Sequence, residues 1–289
     1  LKTLIKTLKI VDYIYINSFS PYYDIYFNKC IHPQITIYQC LDDISQNSYS
    51  AKYGMDLEQQ IIEKYDITLV SSKELYNMKS KLAKEIYYFP NAANNELFGT
   101  ALEDLQMPRE LSPLYGKKII GFIGNIEGRI DYPLLLKISQ LHSDKFIVLI
   151  GPITNDECKT INLENLKNVK LLGAKSSDTL PSYLKFFDCC IIPFKKNKLT
   201  KSIYPLKVNE YLSAGKPIVS TNFSEDILNF NDVVEIACTH EDFLNLIDVA
   251  INTNNQEKIS QRIKKSKDNT WKARVDQFWD IINSHKKSL

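Results

Sequence analysis

The sequence predicts an α/β protein with two doubly wound domains, and three observations carry this prediction. Short apolar runs of strand length alternate with amphipathic segments of about 10 to 15 residues, which is the pattern of parallel strands joined by helices. The alternation occurs twice, separated at residues 94–116 by a stretch with prolines, charges and little periodicity. The 289 residues, 44% hydrophobic and 24% charged, are enough for two cores.

The first alternation predicts a partial domain over residues 1–112. An apolar helix opens the chain, strands are expected at 11–17, 35–40, 67–71 and 86–89, and helices are expected at 49–63 and from Ser72, with Glu74 and Glu85 outermost. Asp42 and Asp43 follow the second strand, and we favour a helix cap over a metal site because no histidine or third acid is close. Because the chain starts in a helix at Leu1, we expect an upstream segment to be absent.

The second alternation predicts a more complete domain over residues 113–268. Its strands are expected at 118–123, 146–150, 169–172, 189–193, 218–221 and 233–237, and its helices at 131–141, 176–187 and 241–251. The tail reads as two helices separated near Asn269. The last helix carries an apolar stripe, and spacing leaves open whether it packs on its own domain or returns to the first: Trp271, Val275, Phe278, Trp279 and Ile282.

Composition excludes several classes of protein. A net charge of +2 gives no reason to expect a nucleic-acid partner, although lysines near both ends favour an anionic surface. No run reaches the ~18 apolar residues of a membrane helix and no signal peptide opens the chain, so we expect a soluble or peripheral cytoplasmic protein. Six cysteines without CxxC spacing predict reduced core thiols, and four histidines without HxxxH or HExxH spacing predict no metal.

Residues 204–221 form the stretch around which the second domain is organised. Pro205 suits the first turn of a helix, Gly215 can supply the left-handed residue that ends it, and a short strand follows. Lys207 and Glu210 lie one turn apart on one face. Since the helix start follows a lysine-rich loop, its backbone N–H groups and dipole can hold an anion such as a diphosphate.

Two further loops are expected at the same carboxyl edge of the sheet. Residues 121–131 carry Gly124, Gly128 and Arg129 where the first strand meets its helix, without GxGxxG spacing; the plainer interpretation is a turn with Asp131 as a helix cap. Gly173 ends another strand, and an ordinary turn is the plainer interpretation there too. Together with the loop before residue 207, they predict a nucleotide-sized crevice.

These residues resemble the GT-B glycosyltransferases of the family 4, or group 1, type. The specific match is 204–219, and weaker matches cover nearly the whole chain, at 89–98, 149–152, 169–173, 188–194 and 269–274. The resemblance implies two Rossmann-like domains facing a cleft, a sugar–nucleotide donor in the second domain, an acceptor in the first, and a closing helix, residues 269–289, that crosses back. It also implies retention of configuration and no metal.

The family's motif positions can be matched to single residues of this sequence. The resemblance then implies no catalytic residue, but it implies that Glu210 contacts the donor's ribose. The donor-binding residues that it implies are Gly124, Asn125, Arg129, Gly173, Lys201, Ser202, Tyr204, Pro205, Leu206, Lys207 and Glu210. The expected partners are a nucleotide diphosphate sugar, a polysaccharide or lipid-linked acceptor and the inner face of the membrane, without nucleic acid.

The chain departs from the family pattern at three places. Ser202 stands where the first glutamate of the E-x7-E motif belongs, Asn125 replaces an arginine, and the family's opening strand and glycine-rich loop are not found before Leu1. The first domain is therefore expected to be incomplete. Two alternatives to a transferase stay open: a non-catalytic sugar-nucleotide-binding subunit of a polysaccharide assembly complex, and a sugar-nucleotide epimerase of the same fold.

Overall fold

The structure is a computed structural model. It describes residues 2–23, 31–46, 48–154, 157 and 161–288. The chain divides into two compact units. Unit 1 contains Leu1–Pro90, Asn197–Tyr204 and Ser224–Asp226, and unit 2 contains Asn91–Lys196, Pro205–Phe223 and Ile227–Leu289. The division into functional domains at 1–112, 113–268 and 269–289 stays a prediction, as does the crossing of the last helix.

Parallel strands and connecting helices alternate along the described residues. The strands are β1 Ile14–Ser18, β2 Ile35–Cys40, β3 Ile67–Val70, β4 Glu85–Tyr88, β5 Ile119–Ile123, β6 Phe146–Ile150, β7 Val169–Leu171, β8 Cys189–Ile192, β9 Ile218–Thr221 and β10 Glu235–Ala237. The helices are α1 Lys2–Thr7, α2 Ser48–Lys64, α3 Lys73–Lys79, α4 Asn95–Gly99, α5 Tyr132–Leu141, α6 Leu180–Lys185, α7 Lys198–Lys201, α8 Leu206–Ser213, α9 His240–Asn252, α10 Gln256–Ser266 and α11 Trp271–Ser288.

Unit 1 contains a four-stranded parallel sheet in chain order, β1-β2-β3-β4, as predicted from the four apolar runs. β3 is buried at every position, because helices cover both faces of a parallel sheet. The helix after β3 begins where expected: the Ser72 hydroxyl accepts from the Leu75 N–H at 3.2 Å as an N-cap. Asp43 likewise accepts from the Ser45 N–H, at 3.0 Å, in a short 3-10 turn.

A buried ion pair lies between the sheet and the helices of unit 1. Glu58 on α2 is 1% exposed, and its Oε2 lies 2.6 Å from Nζ of Lys79 at the end of α3. The Tyr38 hydroxyl of β2 donates to Oε1 of Glu58 at 2.8 Å. Burial, and next the charge of Glu58, raises the pKa of the Tyr38 hydroxyl, so the tyrosine stays a donor.

Unit 2 contains a six-stranded parallel sheet in the order β7-β6-β5-β8-β9-β10. The chain winds outward from β5 to β7, then returns to place β8 on the other side of β5. This is the order of a doubly wound sheet, and the direction of winding reverses between β5 and β8. Gly121 permits the close packing of β5, because a Cβ there would come within 1.9 Å of the Phe187 ring.

The glycine turn after α8 forms as the sequence predicts. Gly215 has φ +66°, its N–H donates to the Leu212 carbonyl at 2.9 Å, and the Lys216 N–H donates to the Tyr211 carbonyl at 3.0 Å. These two bonds are the pair that defines a Schellman motif. The chain therefore leaves α8 at once and enters β9.

Several local predictions are corrected by the structure. The segment 176–187 is a 3-10 turn followed by the short helix α6, and Glu85 lies in β4 because α3 already ends at Lys79. Cys238 is exposed, so it is not a core thiol, whereas Cys40, Cys189 and Cys190 are buried free thiols. Burial raises the pKa of the Cys190 thiol to about 12. Cys30 and Cys158 lie outside the described residues.

Candidate functional site

The loops that follow β5, β6 and β7 are joined by backbone hydrogen bonds at the carboxyl edge of the unit 2 sheet. The Gly124 N–H donates to the Ile150 carbonyl at 2.9 Å, and the Gly151 N–H donates to the Gly173 carbonyl at 2.9 Å. The carboxyl edge beside a reversal of strand order is where doubly wound sheets bind nucleotides. Three loops are thus held side by side at that edge.

Gly151 lets the first two of these loops approach one another. A Cβ on Gly151 would lie 1.9 Å from the carbonyl oxygen of Gly124, and its φ of +150° is a conformation that L side chains rarely adopt. Any side chain at position 151 would push the β5 loop away. The glycine that ends β6 therefore shapes the site even though it carries no functional group.

A tyrosine anchors α8 to the end of β5. The Tyr211 hydroxyl accepts from the Ile123 N–H at 2.8 Å and donates to the Ile123 carbonyl at 3.3 Å, and the ring is fully buried. Lys207 lies one turn earlier on α8, so this anchor brings its side chain to the loop after β5. A Cβ built on Gly124 would be 3.7 Å from Cε of Lys207.

Lys207 and Glu210 form an ion pair at the start of α8. Nζ of Lys207 lies 2.8 Å from Oε2 of Glu210, and the side chains are 27% and 11% exposed. Burial raises the pKa of the Glu210 carboxyl, and the charge of Lys207 opposes that rise. Pro205 at the N-cap supplies no capping side chain, so the helix start can serve an anion.

These residues surround a cavity of about 140 Å³ at the edge of the sheet. Its lining comes from the three loops, from α6 and from α8: Ile123, Gly124, Asn125, Ile150, Gly151, Pro152, Ala174, Lys175, Leu180 and Lys207. Of the residues expected from the sequence, Gly124, Asn125 and Lys207 line it directly. Gly173 precedes two lining residues, Glu210 is bound to Lys207, and Pro205 and Leu206 begin α8.

Arg129 is not among the residues that line this cavity. Its guanidinium is ion-paired with Glu127 and lies 5.9 Å from the centre of the Phe194 ring. The forked donor expected for a phosphate is thus engaged with a neighbouring carboxylate. The expected helix cap does form, because Asp131 accepts from the Leu134 N–H at 3.0 Å.

Three expected donor-site residues, Lys201, Ser202 and Tyr204, lie in unit 1. Ser202 is 1% exposed, and its hydroxyl donates to the Leu199 carbonyl at 2.9 Å within its own turn. Nζ of Lys201 lies 2.8 Å from Oε1 of Glu74. Tyr204 is 5% exposed. Their roles at a donor site stay predictions.

Gly151 and Lys175 are site residues that the sequence prediction did not include. Both belong to short loops that end a buried strand at a glycine, which is the signal that marked Gly124 and Gly173. Lys175 also donates to Oε1 of Glu110 at 2.8 Å, and this hydrogen bond to the carboxylate is the main cause that raises the pKa of the lysine. A cation thus lies at the rim of the cavity beside Lys207.

A larger cavity of about 550 Å³ opens at the opposite, amino edge of the same sheet. Two of its lysines are bonded within the protein: Lys216 donates to the carbonyls of Lys185 and Phe187 at 2.7 and 2.9 Å, and Lys118 pairs with Asp188 at 2.9 Å. Burial lowers the pKa of Lys216. Because parallel sheets bind ligands at their carboxyl edge, we place the site at the smaller cavity.

The described residues contain neither a membrane-spanning helix nor a cluster of metal-binding side chains. Across 2–23, 31–46, 48–154, 157 and 161–288, no helix is long and apolar enough to span a membrane. Within those same ranges, no group of three or more His, Cys, Asp or Glu side chains could hold a metal ion.

The fold is that of the GT-B glycosyltransferases. The structure of HepE from Anabaena in complex with UDP aligns with a TM-score of 0.73 at 12% identity, covering 98% of this chain and 81% of HepE. The sucrose-phosphate synthase of Thermosynechococcus elongatus aligns with a TM-score of 0.69 at 15% identity, covering 96% and 74%. Residues 117–253, which include all six strands of unit 2, match the family model described as "Glycosyl transferases group 1".

A curated relative is similar to this chain over a longer stretch. Over 202 residues, 64% of this chain is 30% identical to TuaH of Bacillus subtilis, which is named as a teichuronic acid biosynthesis glycosyltransferase. The match covers 50% of TuaH, so this chain spans about half the length of the curated relative.

Proposed function

We propose that this chain is a glycosyltransferase that moves a sugar from a nucleotide diphosphate sugar to a polysaccharide or lipid-linked glycan. The observation that carries the proposal is the position of Lys207. Its side chain lies against the Gly124 loop at the carboxyl edge, beside the reversal of strand order. That edge is where doubly wound domains bind nucleotides, and the position falls within the matched family domain.

The residues at the site suit the departure of a nucleoside diphosphate. As the bond from the anomeric carbon to the diphosphate breaks, negative charge grows on the leaving oxygens. In the proposal Lys207 and the uncapped start of α8 receive that charge, and such preorganised donors are often the largest catalytic contribution. Glu210 accepts hydrogen bonds from the ribose hydroxyls. No metal is needed for these roles, and the addition of a chelator should leave the transfer rate unchanged.

The relatives support a choice of donor and acceptor. Structures of HepE contain UDP and UDP-glucose, and TuaH is named for teichuronic acid biosynthesis. We therefore propose a uridine nucleotide donor and a cell-envelope polysaccharide as the acceptor. Retention of the anomeric configuration is part of the proposal by family resemblance.

The donor site is tested by titration calorimetry of the full chain with UDP and with GDP. We expect UDP to bind more tightly than GDP. A chain that binds neither nucleotide would overturn the donor-site assignment. If UDP binds, the product formed from a radiolabelled UDP-sugar with a polysaccharide primer tests transfer, and its anomeric signal tests retention.

Ser202 supports a second candidate, a non-catalytic sugar-nucleotide-binding subunit. Its hydroxyl is engaged with the Leu199 carbonyl, and it cannot supply the charge of the family's glutamate. The variant Ser202→Glu separates the two candidates. Nucleotide binding without transfer in the parent chain, together with transfer in the variant, would favour the binding subunit.

A further inference from the structure

The central strand β5 of the unit 2 sheet pairs differently with its two neighbours. Within the described part of the chain, all five residues of β5 pair with β6, whereas the register with β8 includes only Ile120 and Gly121. β8 itself continues to Ile192 and pairs there with β9. The two strands beside the reversal of winding therefore stop pairing before they reach the carboxyl edge.

A proline in the next residue after β8 accounts for this early stop. The Gly124 N–H donates to the Ile150 carbonyl in β6, so the backbone groups of Ile123, one residue earlier, point the other way, toward β8. If the register continued, Ile123 would stand opposite Ile192, and its carbonyl would accept from the following residue, Pro193. Proline has no N–H to donate, so that bond of the ladder cannot form.

The Tyr211 hydroxyl takes the place of β8 at this position. It accepts from the Ile123 N–H at 2.8 Å and donates to the Ile123 carbonyl at 3.3 Å. The tyrosine is 0% exposed, and burial raises the pKa of its hydroxyl, which therefore stays protonated and able to donate. One side chain thus satisfies both backbone groups that the ladder with β8 does not reach.

The same hydroxyl lies close to the start of α8. Tyr211 and Lys207 are four residues apart on a helix of eight residues, so they lie on one side of it. Only one helical turn separates the bond to β5 from the side chain of Lys207, whose Cε lies 3.7 Å from a Cβ built on Gly124. A displacement of α8 at Tyr211 is therefore carried to Lys207.

We propose that Tyr211 is a positioning residue for the donor, whose hydroxyl holds Lys207 at the distance from the Gly124 loop that a diphosphate requires. This inference rests on the proposed function, because it assigns to the hydroxyl an effect on donor binding. Loss of the hydroxyl leaves the Ile123 N–H and carbonyl without this partner, and the end of β5 and the start of α8 then move apart. A small misplacement of a charged group is enough to weaken its contact with a ligand.

Tyr211→Phe tests the proposal because it removes the hydroxyl and keeps the ring. By titration calorimetry of the full chain, we expect the affinity for UDP to fall about three- to tenfold and the affinity for uridine to change less than about twofold. In a Lys207→Met background, the same substitution should change the affinity for UDP less than about twofold, since the group that it positions is absent. Equal losses with UDP and uridine, or the same loss in the Lys207→Met background, would overturn the positioning role.

Tyr38→Phe is the matched control for a general loss of stability. It removes an equally buried tyrosine hydroxyl, bonded to Glu58 in unit 1, and it should lower the melting temperature without changing the affinity for UDP. If Tyr38→Phe weakens UDP binding as much as Tyr211→Phe does, lower stability accounts for the effect and the proposal is wrong.

The parent chain supplies a measurement that needs no variant to fold. We expect the Ile123 amide proton to exchange with solvent as slowly as those inside the sheet, because the Tyr211 hydroxyl accepts from it. Exchange at the rate of an open loop would overturn the proposal. A parent chain that binds no UDP would overturn the proposed function and this inference together, whereas binding that depends on Lys207 but not on Tyr211 would overturn this inference alone.

Discussion

Nζ of Lys207 lies 2.8 Å from Oε2 of Glu210, one helical turn away at the start of α8. The pair is held at the edge of the sheet because Tyr211, the next residue, bonds to both backbone groups of Ile123 at the end of β5. In the proposed function this ion pair is shared with the donor: the lysine turns toward phosphate and the carboxylate toward ribose. Each half of the pair should therefore affect a different part of the nucleotide.

Loss of the cation should weaken the binding of the diphosphate. Lys207→Met is expected to reduce the affinity for UDP about tenfold or more, because a charge-assisted hydrogen bond to phosphate contributes about 1.5 to 3 kcal/mol. Its effect on the affinity for uridine, which has no phosphate, should be small. Lys167→Ala, at an exposed position in the same unit, is the matched control, and an equal loss in that variant would argue for non-specific charge.

Loss of the carboxylate should affect recognition of the ribose. The parent chain is expected to bind UDP more tightly than an analogue that lacks the ribose hydroxyls, and Glu210→Gln should narrow that difference severalfold. Calorimetry with both ligands and both proteins measures the coupling energy between the Glu210 carboxylate and the ribose hydroxyls. If the variant preferred UDP over the analogue as strongly as the parent does, Glu210 would not contact the ribose hydroxyls.

The same substitution should have a pH signature in stability. Burial raises the pKa of Glu210 in the folded chain, so the folded state binds this proton more readily than the unfolded state. The contribution of the group to stability therefore falls as pH rises through the interval between the two pKa values. Relative to the parent, Glu210→Gln should gain stability as the pH rises above the ordinary glutamate pKa of about 4.3, as measured by melting temperature, and a constant difference would contradict the raised pKa.

Gly151 should be far less tolerant of substitution than Gly173. A Cβ at Gly151 would lie 1.9 Å from the Gly124 carbonyl oxygen, and we expect Gly151→Ala to destabilise the chain by about 3 kcal/mol. Gly173 also has a positive φ, +68°, but nothing lies within 4 Å of its Cβ position, so Gly173→Ala should cost about 1 kcal/mol. Denaturant melts of both variants measure the loss in free energy of unfolding. Equal losses would show that the loop after β5 moves to make room for the new side chain.

The buried ion pair of unit 1 should be sensitive to removal of one partner. Glu58→Ala leaves the ammonium of Lys79 and the hydroxyl of Tyr38 without this acceptor, and we expect a loss of about 3 to 5 kcal/mol. Glu63→Ala, at an exposed position on the same helix, should change stability by less than about 0.5 kcal/mol. If urea melts give similar values for the two variants, the pair is not structurally important.

The sequence predicted the sheets better than it predicted the site. β2, β6 and β9 have the bounds that the sequence predicts, because strands of a parallel sheet covered on both faces are largely apolar and rich in β-branched residues. The Schellman turn followed from one glycine and the proline after it. The pairing of Arg129 with Glu127 was missed, since a phosphate motif and a local ion pair use the same charged residues.

The position of Lys175 could not be predicted for a different reason. Whether a loop lysine points into a cavity depends on how far neighbouring loops approach one another, and here that distance is determined by Gly151 and by backbone bonds between loops. Hydrophobic periodicity carries no information about such contacts. The contact made by Ser202 could not be predicted either. Its hydroxyl donates to the Leu199 carbonyl, which is not part of the E-x7-E motif.

The three residues Ser224–Asp226 belong with unit 1 although the chain on either side belongs to unit 2. Asp226 is fully buried and accepts from the Lys73 N–H at 3.0 Å and from the Tyr88 hydroxyl at 2.7 Å. Recombination at residue 90 would therefore not exchange a self-contained module. A chimera that imports a foreign first segment must retain a hydroxyl at position 88, or carry a compensating change at 226. The first segment therefore depends on the carboxylate of Asp226, which lies far along the sequence from Lys73 and Tyr88.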